Sequence, residues 1–544
     1  MTGVTAATTE NGGPPNAKAV LWTLILVAAV ANLNLSVANV ALPSIGASFD
    51  SSQTALDLIA VGYSLGLAAS VLWFGAVGDR YGRKRMIVLG MLITIPASLT
   101  AAFAPSDTVL FVARVAGGLS AGMAYPTTLA LITALWTGAA RTRSIAMWSA
   151  LGGGVAMLGP LISGLLLEYF AWGSVFLITL PLAILAVFMA SRHVPAHVNE
   201  ATEPVDHVGG ILSAVMIGAL VIALNFITVP NLHELAIGLF LVAAVGVVLF
   251  ILRQKRARYP LYDLKVAARR TFWVAAVAGI IVFGSLMGVA FINQQYLQNV
   301  LTYNTLQAGA AILPAVFFMV LVAPRSAKLV HERGSRFTLL LGQSILGLAF
   351  IGMLVLWGEG TNYLFVAVPL ALMGLGVGLA GTPSSNSLTG SVPVRRVGMA
   401  SGTADLQRDL GGALMTSIFG ALLTAGYASA MGTAIAASGQ DVTATTQSEL
   451  QLSYASAEDL AAQYPQYADE ITAAAQSSFL AGDQIAYLAG LGAVVIGIGL
   501  TFFLFPKKDE ELRLRAQFLA EDQAPIAGAG PTPASPPARV PQPG

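Results

Sequence analysis

The chain has 544 residues, of which 56% are hydrophobic and only 10% charged, and its mean hydropathy is +0.74. A soluble protein of that length cannot hide so much apolar surface, so the composition is that of a polytopic membrane protein. A formal net charge of +1 gives no basic footprint for nucleic acid, and the lack of any cysteine excludes disulfides and thiolate metal or redox sites.

In chain order, residues 1–18 are polar and rich in Thr, Asn, Gly and Pro, which reads as a short disordered arm. The first apolar run is long enough for a full span, unlike a cleaved signal segment. Long apolar stretches predict helices near 19–42, 55–75, 86–104, 108–134, 144–168, 173–190, 209–228, 234–252, 272–297, 306–323, 337–357, 362–382, 398–426 and 484–505. Fourteen spans put both ends on the cytoplasmic side. The expected division is an arm (1–18), an N-terminal six-helix half (19–190), an extra two-helix insert with flanking loops (191–271), and a C-terminal six-helix half (272–505). That second half includes an outer loop at 427–483, and a cytoplasmic, mostly disordered tail (506–544) follows.

Charge tests this plan. Of the 28 Lys and Arg, 26 fall in segments it places in the cytoplasm; Arg114 and Arg408 lie inside spans. The 427–483 stretch carries acids but no Lys or Arg. GDRYGRKRMIVLG (78–90) and VHERGSRFTLLLG (330–342) align without gaps, pairing Gly82 with Gly334 and Gly90 with Gly342 and placing His331 opposite Asp79. Two six-helix halves with such loops at corresponding places fit the internal-repeat logic of transporters. His193 and His197 are four apart but read as part of a solvated loop, not as metal ligands.

Ionisable groups inside spans are functional candidates by default. Arg114 must face protein, water or a carboxylate. Asp57 and Glu168 fall near the outer ends of their helices. In GTADLQRDLGGALM, Asp405 and Asp409 are four apart and share one face of helix thirteen, with Arg408 three residues after Asp405. Two carboxylates so close in a poorly hydrated cavity resist double ionisation, and Arg408 at that spacing can pair with Asp405. Asp409 is therefore the candidate coupling group and Asp405 the candidate for substrate charge. Trp22, Tyr63, Trp73, Tyr125, Trp148, Phe291 and Tyr296 could stack on an aromatic or cationic substrate; each alone reads as packing or an interface anchor.

Several of these stretches carry a family resemblance. GAVGDRYGRKR (75–85) resembles the cytoplasmic signature G-x-x-x-D-R-x-G-R-R/K of the major facilitator superfamily, with Gly75, Gly78, Asp79, Arg80, Gly82, Arg83 and Lys84 at its positions. NVALPSI (39–45), YPLYDLKVAARRTF (259–272) and QQYLQNVLTYNTLQAGAAILP (294–314) resemble the fourteen-span drug:proton antiporters of that superfamily, and the match runs from about residue 20 to about residue 510. FVARVAGGLSAG (111–122) resembles the R-x-x-Q-G motif, with Arg114 as its Arg and Gly117 in place of its Gln. GGGVAMLGPLISG (152–164) resembles the antiporter motif through Gly154, Gly159, Pro160 and Gly164, with Val155 and Ser163 replacing two of its glycines. Many family members have an Asp in helix one where this chain has Asn34.

The resemblance implies an all-α major facilitator fold with two extra central helices and no enzymatic activity. It implies a monomeric, multi-pass protein of the cytoplasmic membrane that exchanges protons, its only coupling ion, for hydrophobic, often cationic drugs or dyes. Export of one endogenous metabolite or lipid is the alternative, with a polytopic membrane enzyme or sensor as the remote one. No G-x-x-x-x-G-K-[ST] loop occurs, so no cofactor or nucleotide is implied.

Overall fold

The computed structural model describes residues 13–51, 53–198, 201, 203–227, 232–440 and 442–523. Among them every element is helical, and 14 helices are long and apolar enough to cross a membrane. These are α1 (Ala17–Ser36), α2 (Leu58–Tyr81), α3 (Arg83–Ala102), α4 (Asp107–Leu135), α5 (Gly138–Tyr169), α6 (Ser174–His193), α7 (His207–Phe226), α8 (His233–Arg256), α9 (Arg270–Asn299), α10 (Leu306–Arg333), α11 (Ser335–Leu356), α12 (Tyr363–Gly390), α13 (Val397–Ser438) and α14 (Pro465–Leu504). In hydrocarbon each backbone donor and acceptor must be satisfied within its own segment, which is why apolar runs of this length close into helices.

The helices sort into two packed groups. α1 to α6 form one, with α4 against α2 and α3, and α1 against α5 and α6. α9 to α14 form the other, with α13 against α9 and α14, and α12 against α10 and α11. α2 and α4 meet α13, and α5 meets α10, so the two groups touch along two flanks.

The extra pair, α7 and α8, packs on α2 and shows the bilayer an apolar face that includes Leu241 and Val248. It is tied where α7 begins and α8 ends by Asp206, which caps the Gly209 amide at 3.1 Å and holds Arg253 at 2.8 Å. Burial pushes the Asp206 carboxyl up, but bonds from Arg253, Gly209 and Gln254 outweigh it and hold the group below the usual carboxylate range. Between this pair, α2 and α13 lies an apolar cavity of about 500 Å³, lined by Leu72, Met216, Phe240, Phe250, Tyr262 and Leu406 among others.

Three boundaries differ from the expectation. The first apolar run is two helices, α1 and Ala38–Phe49, divided at Val37. The 427–483 stretch is not an open loop: α13 runs on to Ser438, short helices Ala444–Leu452 and Tyr454–Gln463 follow, and α14 begins before residue 470. The stretch after α14 begins with a helix, Lys508–Gln523, docked where the Glu511 carboxylate accepts from the Ser335 amide and hydroxyl. Residues 1–12 of the expected arm and 524–544 of the tail lie outside the described residues.

The charge asymmetry gives a direct test of orientation. Single cysteines are easily placed in a chain that has none. One in the 440s is expected to react with an impermeant reagent added outside the cell, and one in 257–269 with reagent added inside. Labelling in the 440s only from the cytoplasmic side would overturn the arrangement.

Candidate functional site

At a rise of 1.5 Å per residue, Asp405 and Asp409 lie about 12 and about 18 Å along α13 from its N-terminal start, well inside the span. The two acids are held differently. Asp405 is fully buried, and its Oδ1 accepts from Arg408 Nη1 at 3.1 Å, while its Oδ2 has no partner among the described residues. Asp409 is half-buried and forms no ion pair among them, and its Oδ2 is buried without a partner.

Arg408 reaches out of α13 towards the N-terminal half. It donates to Tyr125 Oη at 3.4 Å and to the Ser149 and Ser385 hydroxyls at 3.3 Å. Its guanidinium lies 4.7 Å from the Trp148 ring and 4.6 Å from Phe283. Tyr125 and Trp148 are themselves ring neighbours at 5.5 Å, and Trp148 Nε1 donates to Thr128. Both Tyr63 and Tyr125 are near enough to feel the Asp409 charge. Helices of both halves, α2, α4, α5, α9, α12 and α13, therefore converge on one acidic and aromatic centre. Of the sequence-flagged aromatics, Tyr63, Tyr125 and Trp148 belong to it. Trp22 and Phe291 face outward, Trp73 packs on His207, and Tyr296 stacks on Trp357.

Arg114 does not join that network. It is 2% exposed, donates to the Asn34 carbonyl at 2.6 Å and to the Ile59 carbonyl at 3.4 Å, and lies 5.0 Å from the Tyr63 ring. Asn34 lies three residues before the division at Val37, and the Ser163 hydroxyl donates to the Val37 carbonyl at 2.8 Å. Two foreign side chains thus take carbonyls that the helix ladder would use, which is a sufficient cause for the break. Tyr63 is the link between this arginine and the Asp409 region. The Asp57 side chain lies outside the described residues.

The Gly-Pro helix, α5, is wedged between the halves. A side chain at Gly159 would run into Ser36, so only glycine lets α5 close on the broken first helix there. Pro160 sits inside α5, and Gly164 is half-buried one turn on. Gly154 meets Val316 of α10 across the interface.

At one end of the bundle, the 75–85 stretch joins the halves. The Asp79 Oδ2 accepts from the Gly398 amide at the start of α13 at 2.7 Å, and its Oδ1 accepts from Arg83 Nε at 3.0 Å and Nη2 at 2.8 Å. A carboxylate at a helix N-terminus is favourably placed for the unpaired amides and the helix dipole. Arg83, 2% exposed, also donates to the carbonyls of Val198 and Val394. Arg80 donates to the Ala201 carbonyl and Lys84 to that of Ser191. Gly75 and Gly398 pass with no room for a Cβ on either, and Gly78 lies over Met86 and Thr127. Gly82, at φ 110°, opens α3 in a conformation that side chains rarely adopt. A second cross-link runs from Arg141 to the Thr389 hydroxyl at 3.1 Å.

Residues 24–416 match the family model described as Major Facilitator Superfamily. The chain belongs to that superfamily. It is 33% identical over 398 residues to the multidrug resistance protein Stp of Mycobacterium tuberculosis, covering 72% of this chain and 73% of that one. It is 29% identical over 413 residues to the methyl viologen resistance protein SmvA of Salmonella typhimurium, covering 76% and 83%. The human organic anion transporter MFSD10 shares the fold, with a TM-score of 0.59 at 14% identity over 90% of this chain and all of that one. The superfamily member is a multi-pass membrane transporter, not an enzyme, and its relatives include multidrug efflux proteins.

Sequence reasoning missed Ser149, Ser385 and Phe283 around Arg408. No linear signal marks them, since each comes from a different helix. It also missed Asp483, which falls just before the apolar run taken to start at 484. An acid abutting a span was the available clue.

Proposed function

We propose that this transporter is a proton-coupled antiporter that exports hydrophobic, cationic drugs or dyes by alternating access, as a monomer in the cytoplasmic membrane with both ends inside. The observation that carries the reading is the asymmetry of the acid pair. Each acid keeps one buried oxygen without a partner among the described residues, but Asp405 is paired with Arg408 whereas Asp409 has no ion pair among them. A proton or a substrate cation can satisfy the Asp409 oxygen, but the two cannot do so together. Competition for one acidic group is enough to couple their movements. The Trp148 and Tyr63 rings already hold cations, Arg408 and Arg114, over their faces, and SmvA is named for resistance to methyl viologen, an aromatic dication. The apolar cavity beside α7 and α8 is of a size that suits a hydrophobic small molecule.

The test is uptake of a fluorescent cationic dye into everted membrane vesicles carrying the protein. Accumulation is expected when the vesicle interior is made acidic, with loss of the accumulated dye on adding a protonophore. Accumulation that is indifferent to the protonophore would contradict proton coupling.

A further inference from the structure

α14 holds a second acid that the midplane site does not use. Asp483 is 2% exposed, and neither of its carboxylate oxygens has a hydrogen-bond partner among the described residues. It lies 21 residues before Leu504, so it sits about 31 Å from the cytoplasmic end of the helix, at the outer edge of the hydrocarbon. Two more buried polar groups of this region have no partner among the described residues: Tyr487 Oη, one turn further along α14, and Trp357 Nε1. The Trp357 ring stacks on Tyr296 at 5.0 Å and meets Tyr487 edge-on at 5.6 Å.

Among the described residues no cation is paired with Asp483. Of the helices packed against α14, α9 brings Tyr296, α13 brings Tyr427, and helix Tyr454–Gln463 brings Tyr454, Glu458 and Asp459. α14 itself adds Asp469, Glu470 and Tyr487. The arginines on these helices are engaged elsewhere: Arg270 on the Leu504 carbonyl, Arg336 on the Phe502 carbonyl, and Arg408 on Asp405. Residues 427–483 contain seven acids and no Lys, Arg or His. An ionised carboxylate buried without a cation costs several kcal/mol, so the neutral acid is the form that fits this conformation.

The outer segment closes over this acid. Tyr427 Oη donates to the carbonyls of Leu450 and Ser453, both at 3.1 Å, tying α13 to the short helices. The Tyr454 ring meets Phe479 edge-on at 6.1 Å, and Phe479 lies one turn before Asp483 on α14. Helices Ala444–Leu452 and Tyr454–Gln463 bury Leu450, Ala457 and Leu460 in that contact. Water reaches Asp483 only if this cap lifts or α13 and α14 part.

We propose that Asp483 is a second proton-binding carboxylate of the transporter, loaded from the outer aqueous phase and sealed there by the 444–463 cap. Its role in transport rests on the antiport reading; its protonation does not. Infrared difference spectra of the full chain in lipid, wild type minus Asp483→Asn, test the protonation. At neutral pH they are expected to contain the carbonyl band of a buried neutral acid, which fades as pH is raised. No such band, or one unchanged from neutral to strongly alkaline pH, would overturn the proposal. Asn mimics the neutral acid, so the variant is expected to fold and to bind dye like wild type. In dye transport its dependence on the pH of the outer-face compartment is expected to flatten at least several-fold, with Asp483→Glu restoring it. An Asp483→Asn protein that keeps the wild-type profile on that side would also overturn it. Wild-type transport blind to any pH gradient would instead count against the antiport reading, and the infrared band alone would then decide.

Discussion

Asp409→Asn is expected to reduce gradient-driven dye transport to the level of vesicles without the protein, with expression and dye binding retained. The amide is isosteric with the neutral acid but cannot ionise, so the proton half of the exchange is lost. Asp405→Asn is expected to behave differently, because Asp405 already has a cation. Its removal leaves Arg408, 14% exposed at the side chain, with only hydroxyl partners and aromatic faces. Losing one member of a buried ion pair costs about 3–5 kcal/mol. Asp405→Asn should therefore lower the melting temperature and selectively weaken export of divalent or strongly cationic dyes, while some proton dependence survives. If both single variants and the double variant export cations with normal proton dependence, the assignment fails, and Asp57 or Glu168 becomes the next candidate.

The second large effect is expected where the 75–85 stretch meets the start of α13. Asp79→Asn keeps an acceptor for the Gly398 amide but removes the charge that balances Arg83, which is 2% exposed. The penalty falls on the conformation in which these ends are joined, because opening that side returns Arg83 to water. A penalty of about 3 kcal/mol moves a two-state equilibrium about a hundredfold. The variant is thus expected to reach the membrane in normal amount, to favour the cytoplasm-open state, and to transport at least ten times more slowly. Spin labels on cysteines near the cytoplasmic ends of α2 and α13 should show the distance lengthening. Unchanged distances and normal transport in a well-folded Asp79→Asn protein would show that the contact does not control the balance.

Much of this was legible in the sequence for identifiable reasons. Hydrophobic length alone marks a span in a solvent with no backbone partners, so the fourteen spans could be read directly. Charge spacing put Arg408 on the same helical face as Asp405, and the two are paired at 3.1 Å. Asp79 was legible as a position of the 75–85 signature, but its partner, the Gly398 amide, lies 319 residues away and only the fold supplies it. Arg114 was legible only as a group that must face protein, water or a carboxylate, and the structure gives it backbone carbonyls beside the division at Val37. The outer cap was illegible because its helices are short and polar and owe their order to packing by Leu450, Ala457 and Leu460. The helix Lys508–Gln523 likewise lacks a long apolar run and is fixed by Glu511 on Ser335 and by Arg269 on the Phe518 ring.

The central claim is that substrate and proton compete for one midplane acid. It is tested most directly by adding a cationic dye to the purified, detergent-solubilised protein in weakly buffered solution at neutral pH and following the pH. The account predicts proton release that saturates with dye binding in the wild type and is absent in Asp409→Asn protein that still binds the dye. No release from the wild type, or equal release from Asp409→Asn, would contradict it.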